Sequence, residues 1–118
     1  MSATEPTVFE LIVARAIPAE IVFENERLIA FKDIAPKAPV HLLVVPKTSD
    51  YTNVAELAEG DALLLAEIVT TAADLAAEHS NGEYRLIFNS GASAGQTVFH
   101  VHAHVLSGSF DESSLGFE

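Results

Sequence analysis

Apolar positions recur along this chain with two different periods. In Val8–Ile17, the residues Phe9, Ile12 and Val13 return at helical spacing, and Pro18 lies just past the end, which predicts a short helix. Ile21–Glu24 and Arg27–Asp33 read as two strands broken at Asn25-Glu26, followed by a loop, Ile34–Pro39, that carries Pro36 and Pro39. Val40–Val45 is an aliphatic run interrupted only by His41, the pattern of a central strand, and Pro46 ends it. Asn53–Glu56 has capping-box spacing. Asp61–His79 predicts a long helix whose polar stripe is narrow: Glu67, Thr71, Asp74 and Glu78. The rest of its circumference is mostly Leu, Ile, Val and Ala, so more than one side is expected to be covered, and in a small domain a partner subunit is the natural cover. After the Asn81-Gly82 turn, Glu83–Asn89 alternates Tyr84, Leu86 and Phe88 as a strand. A Gly- and Ser-rich loop, Ser90–Gly95, leads to a last strand, Val98–Leu106, and a polar, acidic tail closes the chain.

Composition narrows what such elements can build. The chain has 118 residues, 49% of them hydrophobic, which suits one domain with a core over about residues 8–108 and an acidic tail over 109–118. There is no cysteine, which excludes disulfides, thiolate metal sites and a thiol nucleophile and agrees with a reducing compartment. Seventeen acids against six bases give a net charge of −11, a surface that repels nucleic-acid backbones and anionic membranes. The polar start lacks the pattern of a secretory signal, and no apolar run is long enough to span a bilayer. The expectation is a cytoplasmic protein that binds neither nucleic acid nor membrane.

The chemistry concentrates in Gly95–Leu106. On a strand, His100, His102 and His104 share one face, with Phe99, Val101, Ala103 and Val105 turned to the other. Three readings compete: an exposed polar face, a metal site completed by His41, or phosphate chemistry, in which an imidazole attacks phosphorus and its neighbours hold the oxygens. The lead-in favours the last. Gly95, Gln96 and Thr97 bring backbone N–H groups, an amide and a hydroxyl, and Asn89 closes the preceding strand, an anion cradle without Lys or Arg. His41 is read either as a satisfied buried histidine or as part of the site, and Asp33 as a turn carboxylate or an acceptor for ribose hydroxyls.

His100-Val-His102-Ala-His104-Val-Leu resembles the signature of the histidine-triad superfamily. The rest of residues 8–108 is similar to its Hint branch of nucleoside phosphoramidases. The matching features are Phe9 and Ile12 with Ile17-Pro18, Phe31-Lys-Asp33-Ile34, Pro36-Lys-Ala-Pro39-Val-His41, Val44-Val-Pro46-Lys47, Tyr84-Arg-Leu86 with Asn89, and Gly95-Gln96-Thr97-Val-Phe. The resemblance implies an α+β fold: a five-stranded antiparallel sheet with two helices, paired in a homodimer into a continuous ten-stranded sheet. It implies hydrolysis of purine nucleoside phosphoramidates or other AMP conjugates, with His102 as the nucleophile that takes AMP, His100 and His104 orienting it, and His41 supporting it. Asn89, Gly95, Gln96 and Thr97 would meet the phosphate or leaving group, Asp33 the ribose, and Phe9, Ile12, Ile17, Phe31 and Ile34 the purine. No cofactor and no metal are implied. A dinucleoside polyphosphate hydrolase and a nucleotide-binding scaffold of weak turnover are the alternatives. The tail differs from the aromatic tail of vertebrate members, so substrate preference tied to that tail does not carry over.

Overall fold

The computed structural model describes residues 5–110. Five strands, β1 (Ile21–Glu24), β2 (Leu28–Lys32), β3 (Val40–Pro46), β4 (Arg85–Ile87) and β5 (Ala103–Ser107), form one antiparallel sheet in the order β1-β2-β3-β5-β4. The sheet expected from the sequence is therefore present. β3 lies at its centre, and strand alternation sends its side chains both ways. Leu42 and Val44 join Leu28, Ala30, Ala103 and Val105 under α2 (Val54–Gly60) and α3 (Ala62–His79). Leu43 and Val45 join Ile29 and Phe31 under α1 (Val8–Val13). A strand buried on both faces reads as a continuous aliphatic run, which is why its sequence showed no alternation.

The boundaries that differ most from the sequence reading are those of α1, β4 and β5. α1 stops at Val13 rather than Ile17, because Arg15 adopts a left-handed φ of 63° and the N–H groups of Arg15 and Ala16 bond back to the carbonyls of Ile12 and Leu11, a Schellman ending. Its start is a reciprocal capping box of Thr7 and Glu10. Asn53 caps α2 by accepting from the Glu56 N–H, but the Glu56 carboxylate turns to Thr52 instead of back to Asn53. β4 is only three residues long, and β5 begins at Ala103, not Val98. Ahead of β5 the chain forms a turn of 3-10 helix at Ala92–Ala94 and then an irregular stretch. There the Val101 N–H bonds to the Tyr51 carbonyl rather than to a neighbouring strand. Only 109 and 110 of the expected tail fall within the described residues.

Candidate active site

β3 and β5 run antiparallel with Leu43 opposite His104 and His41 opposite Leu106. His41 and His104 are thus diagonal neighbours on the sheet face covered by α1, and their rings meet with His41 Nε2 3.0 Å from His104 Nδ1. His100 and His102 lie in the irregular stretch before β5, so the single three-histidine strand is corrected. The clustering survives because Val101 stays in the core and keeps the alternation from that point on. Phe9 of α1 packs edge-on against His100 and His102, at 5.8 and 4.8 Å between ring centres, and His102 lies 5.0 Å from His104. The alternation fails at Phe99, which is 49% exposed instead of turned into the core.

Backbone partners settle which nitrogen of each ring carries its proton, because a carbonyl can only accept and an amide N–H can only donate. His100 donates from Nε2 to the Pro46 carbonyl at 2.7 Å. His102 donates from Nδ1 to the His100 carbonyl at 2.8 Å, which leaves the lone pair on Nε2. His41 accepts the Lys37 N–H at Nδ1, 3.0 Å, so its proton sits on Nε2. That proton faces Nδ1 of His104, which must then be the acceptor, and His104 carries its own proton on Nε2. Burial lowers the basicity of all four rings. It is the main cause for His104, pushed down to about 4, with His102 and His41 adding repulsion. For His41 and His102 burial outweighs the opposing pull of Asp33, and for His100 it outweighs the Pro46 carbonyl. All four rings are thereby pushed toward the neutral form.

A pocket of about 380 Å³ opens beside this cluster. Its apolar wall includes Phe9, Ile12, Ile17 and Phe31, with Ile34 at the mouth, 95% exposed. Its polar edge is Asp33, Thr97, His102 and His104. Nine of the residues expected from the sequence therefore meet on one cavity. Asp33 does both things read for it: one carboxylate oxygen accepts the Ala35 N–H at 2.8 Å as a turn, while the other lies 3.4 Å from His41 Nε2 at the pocket. His41 and His100 stand behind the wall. His41 is bonded to His104. Asn89 sits against Gly95. Gln96 departs most from expectation. It is 4% exposed, and its amide accepts from the Gly91 N–H at 2.8 Å and donates to the carbonyls of Thr52 and Val98 at 2.5 and 3.0 Å, so it braces the loop. The backbone groups of Lys37 and Pro46 that set the ring tautomers were missed, since no side-chain pattern announces a main-chain partner.

Asp33, His41 and His104 bring one ligand atom each within 4.8 Å of one another, the grouping a metal ion could use. The hydrogen bonds oppose that use. With Nδ1 of His41 accepting from Lys37, a metal on Nε2 would require either an imidazolate or the loss of the Lys37 bond. The arrangement is complete with one proton between the two rings.

Comparison with known proteins finds similar sequences and structures. Residues 6–117 match the family described as scavenger mRNA decapping enzyme C-term binding. An uncharacterized HIT-like protein of Synechococcus elongatus is 44% identical over 105 residues, 89% of this chain and 92% of that protein. The adenylylsulfatase HINT1 of Arabidopsis thaliana is 35% identical over 105 residues, 87% of this chain and 71% of that protein. The crystal structure of a HIT family hydrolase from Legionella pneumophila is similar with a TM-score of 0.87 at 38% identity, covering 94% of this chain and 100% of that one.

Proposed function

The chain belongs to the histidine-triad family, and from that premise we propose that it is a nucleotide hydrolase that cleaves the P–N bond of purine nucleoside phosphoramidates or related AMP conjugates. The observation that carries the reading is the orientation of His102: its Nδ1–H is held by the His100 carbonyl, so the Nε2 lone pair belongs to a ring on the wall of an apolar pocket. An imidazole so held, and kept neutral by burial, is a nucleophile without first losing a proton. In the proposed reaction a proton from solvent passes to the substrate nitrogen, His102 Nε2 bonds to the α-phosphorus as the P–N bond breaks, and the neutral amine leaves; the hydrolysis that follows returns the proton to solvent. Water then cleaves the phosphorus–histidine bond, releasing AMP. Phe9, Ile12, Ile17, Phe31 and Ile34 would take the purine and Asp33 the ribose. Thr97, Asn89 and the Gly95 backbone would lie near the phosphate. The Arabidopsis relative is named an adenylylsulfatase, which supports an adenylyl conjugate as substrate. We place the reaction in the cytoplasm, in keeping with a chain that has no cysteine to oxidise.

The proposed assembly is a homodimer. The outward face of α3 carries Leu63, 80% exposed, with Ala66, Val69 and Ala77, an apolar strip that a second copy would cover. Among the described residues β4 stands at one end of the strand order, the position from which two sheets would join.

Rapid quench at neutral or alkaline pH, followed by peptide mass analysis, tests the chemistry, because a phosphoramidate bond to histidine is acid-labile. The expected result is transient AMP on His102, and His102→Ala should lose essentially all turnover while still binding AMP. AMP on another residue, or wild-type turnover by His102→Ala, overturns the assignment.

A further inference from the structure

The four imidazoles differ in what they face, and His41 is the one whose two ring nitrogens are both engaged away from the pocket wall. We propose that His41 is a positioning residue that fixes the tautomer of His104, and that the Lys37 backbone N–H is the origin of that constraint. The argument is one of donors and acceptors. The Lys37 N–H can only donate, so His41 Nδ1 accepts at 3.0 Å and its single proton lies on Nε2. That N–H points at His104 Nδ1, 3.0 Å away, and two N–H groups cannot face each other there. His104 therefore turns a lone pair to His41 and keeps its N–H on Nε2, on the ring edge away from His41. His104 shares the pocket wall with His102, and the ring nitrogen it does not turn to His41 carries a donor rather than a lone pair.

The order Lys37 N–H, His41, His104 Nε2–H makes the Pro36–Pro39 loop part of the catalytic device without any side chain of that loop entering the pocket wall. The Asp33 carboxylate lies 3.4 Å from the same His41 Nε2. The Nδ1 partner of His41 is an amide N–H, which cannot resupply a proton through the ring. A fixed tautomer, not a proton chain, is what this geometry supports.

The inference rests on the proposed hydrolase reading but is tested apart from it. Glutamine at position 41 can reproduce both bonds, its carbonyl accepting from Lys37 and its amide donating to His104, yet it cannot titrate or carry a proton through. Alanine reproduces neither. Nitrogen-15 spectra of the wild-type imidazoles should show His104 protonated on Nε2 at neutral pH, and His41→Gln should keep that signature while His41→Ala loses it. In steady state with an AMP-amine conjugate, His41→Ala should lower kcat by about 10²-fold, the range of a removed oxyanion donor, with KM little changed. His41→Gln should recover most of that loss. A His104 ring protonated on Nδ1 overturns the inference. So does a His41→Gln protein that keeps the tautomer yet is as slow as His41→Ala, which would make His41 a proton carrier. If the wild type neither turns over the conjugate nor adenylylates His102, the hydrolase reading fails, and the spectra still decide the tautomer.

Discussion

Gln96 holds three backbone groups at once, the Gly91 N–H and the carbonyls of Thr52 and Val98, from a position at the hinge between the glycine-rich loop and the histidines. Leaving a buried polar group without its partner costs about 1–3 kcal/mol. Gln96→Ala is therefore expected to lower stability by ~1–3 kcal/mol in a denaturant titration, since solvent entering the loop will meet part of the loss. If Gln96 instead serves the phosphate first, the same variant will leave the unfolding midpoint in place and raise KM alone. The residue type was legible in the sequence and its partners were not. A glutamine in a Gly-Gln-Thr stretch looks the same whether its amide faces a ligand or its own loop. His41 is a parallel case. Its presence on an apolar strand marked it, but the diagonal across β3 and β5 that joins it to His104 depends on strand register.

At the level of elements, the clearest test lies where β5 ends. Gly108 has φ 151°, and a Cβ there would lie 2.8 Å from Pro39 Cδ, a rigid ring at the start of β3. Gly82, with φ 92°, has nothing within 4 Å of the same position. Gly82→Ala should therefore show the cost of backbone strain alone, about 1–2 kcal/mol. Gly108→Ala should cost more, by ~1–3 kcal/mol of overpacking added to the strain. Equal unfolding midpoints for the two variants would mean that the Pro39 contact is relieved freely. The sequence reading was sound wherever periodicity and burial agree: β1, β2, β3 and α3 fall close to where they were expected. It ran long at α1, because an arginine in a left-handed position gives no warning of a helix end as a glycine would. It ran long again at Val98–Val101, where alternation of apolar and polar residues imitates a strand. That stretch is held instead by the Tyr51 carbonyl and by His100 on Pro46. It also placed Thr71 on the polar stripe of α3, whereas Thr71 is buried, and the exposed strip is the apolar one through Leu63 and Val69.

For the molecule as a whole, that exposed strip and the buried histidines make separate predictions. Sedimentation at low micromolar concentration should give about twice the 12.6 kDa chain mass, and Val69→Lys on the strip should shift it toward the monomer. A wild-type monomer would refute the dimer. The second prediction concerns acid. His41, His100, His102 and His104 are all held below the ordinary histidine value of 6.5 by burial, so the folded protein refuses protons that the unfolded chain accepts. Where the unfolded state binds more protons, stability falls as pH falls. Each such ring then removes ~1.4 kcal/mol per pH unit between its unfolded and folded values. For His104 that window runs from 6.5 down to about 4. The carboxylates of Glu10 and Glu24, lowered by their bonds to Thr7 and to Lys47, titrate further to the acid side and do not mask the effect in its upper part. Stability measured by denaturant should thus be nearly flat above about pH 7 and should fall as the pH drops below it, with proton uptake on unfolding that continues through the His104 window toward about pH 4. His104→Asn, which cannot titrate, should make the drop shallower by the share of one group. A stability curve that stays level across this range would mean that the rings are protonated in the folded state, and the neutral His102 nucleophile would fall with it.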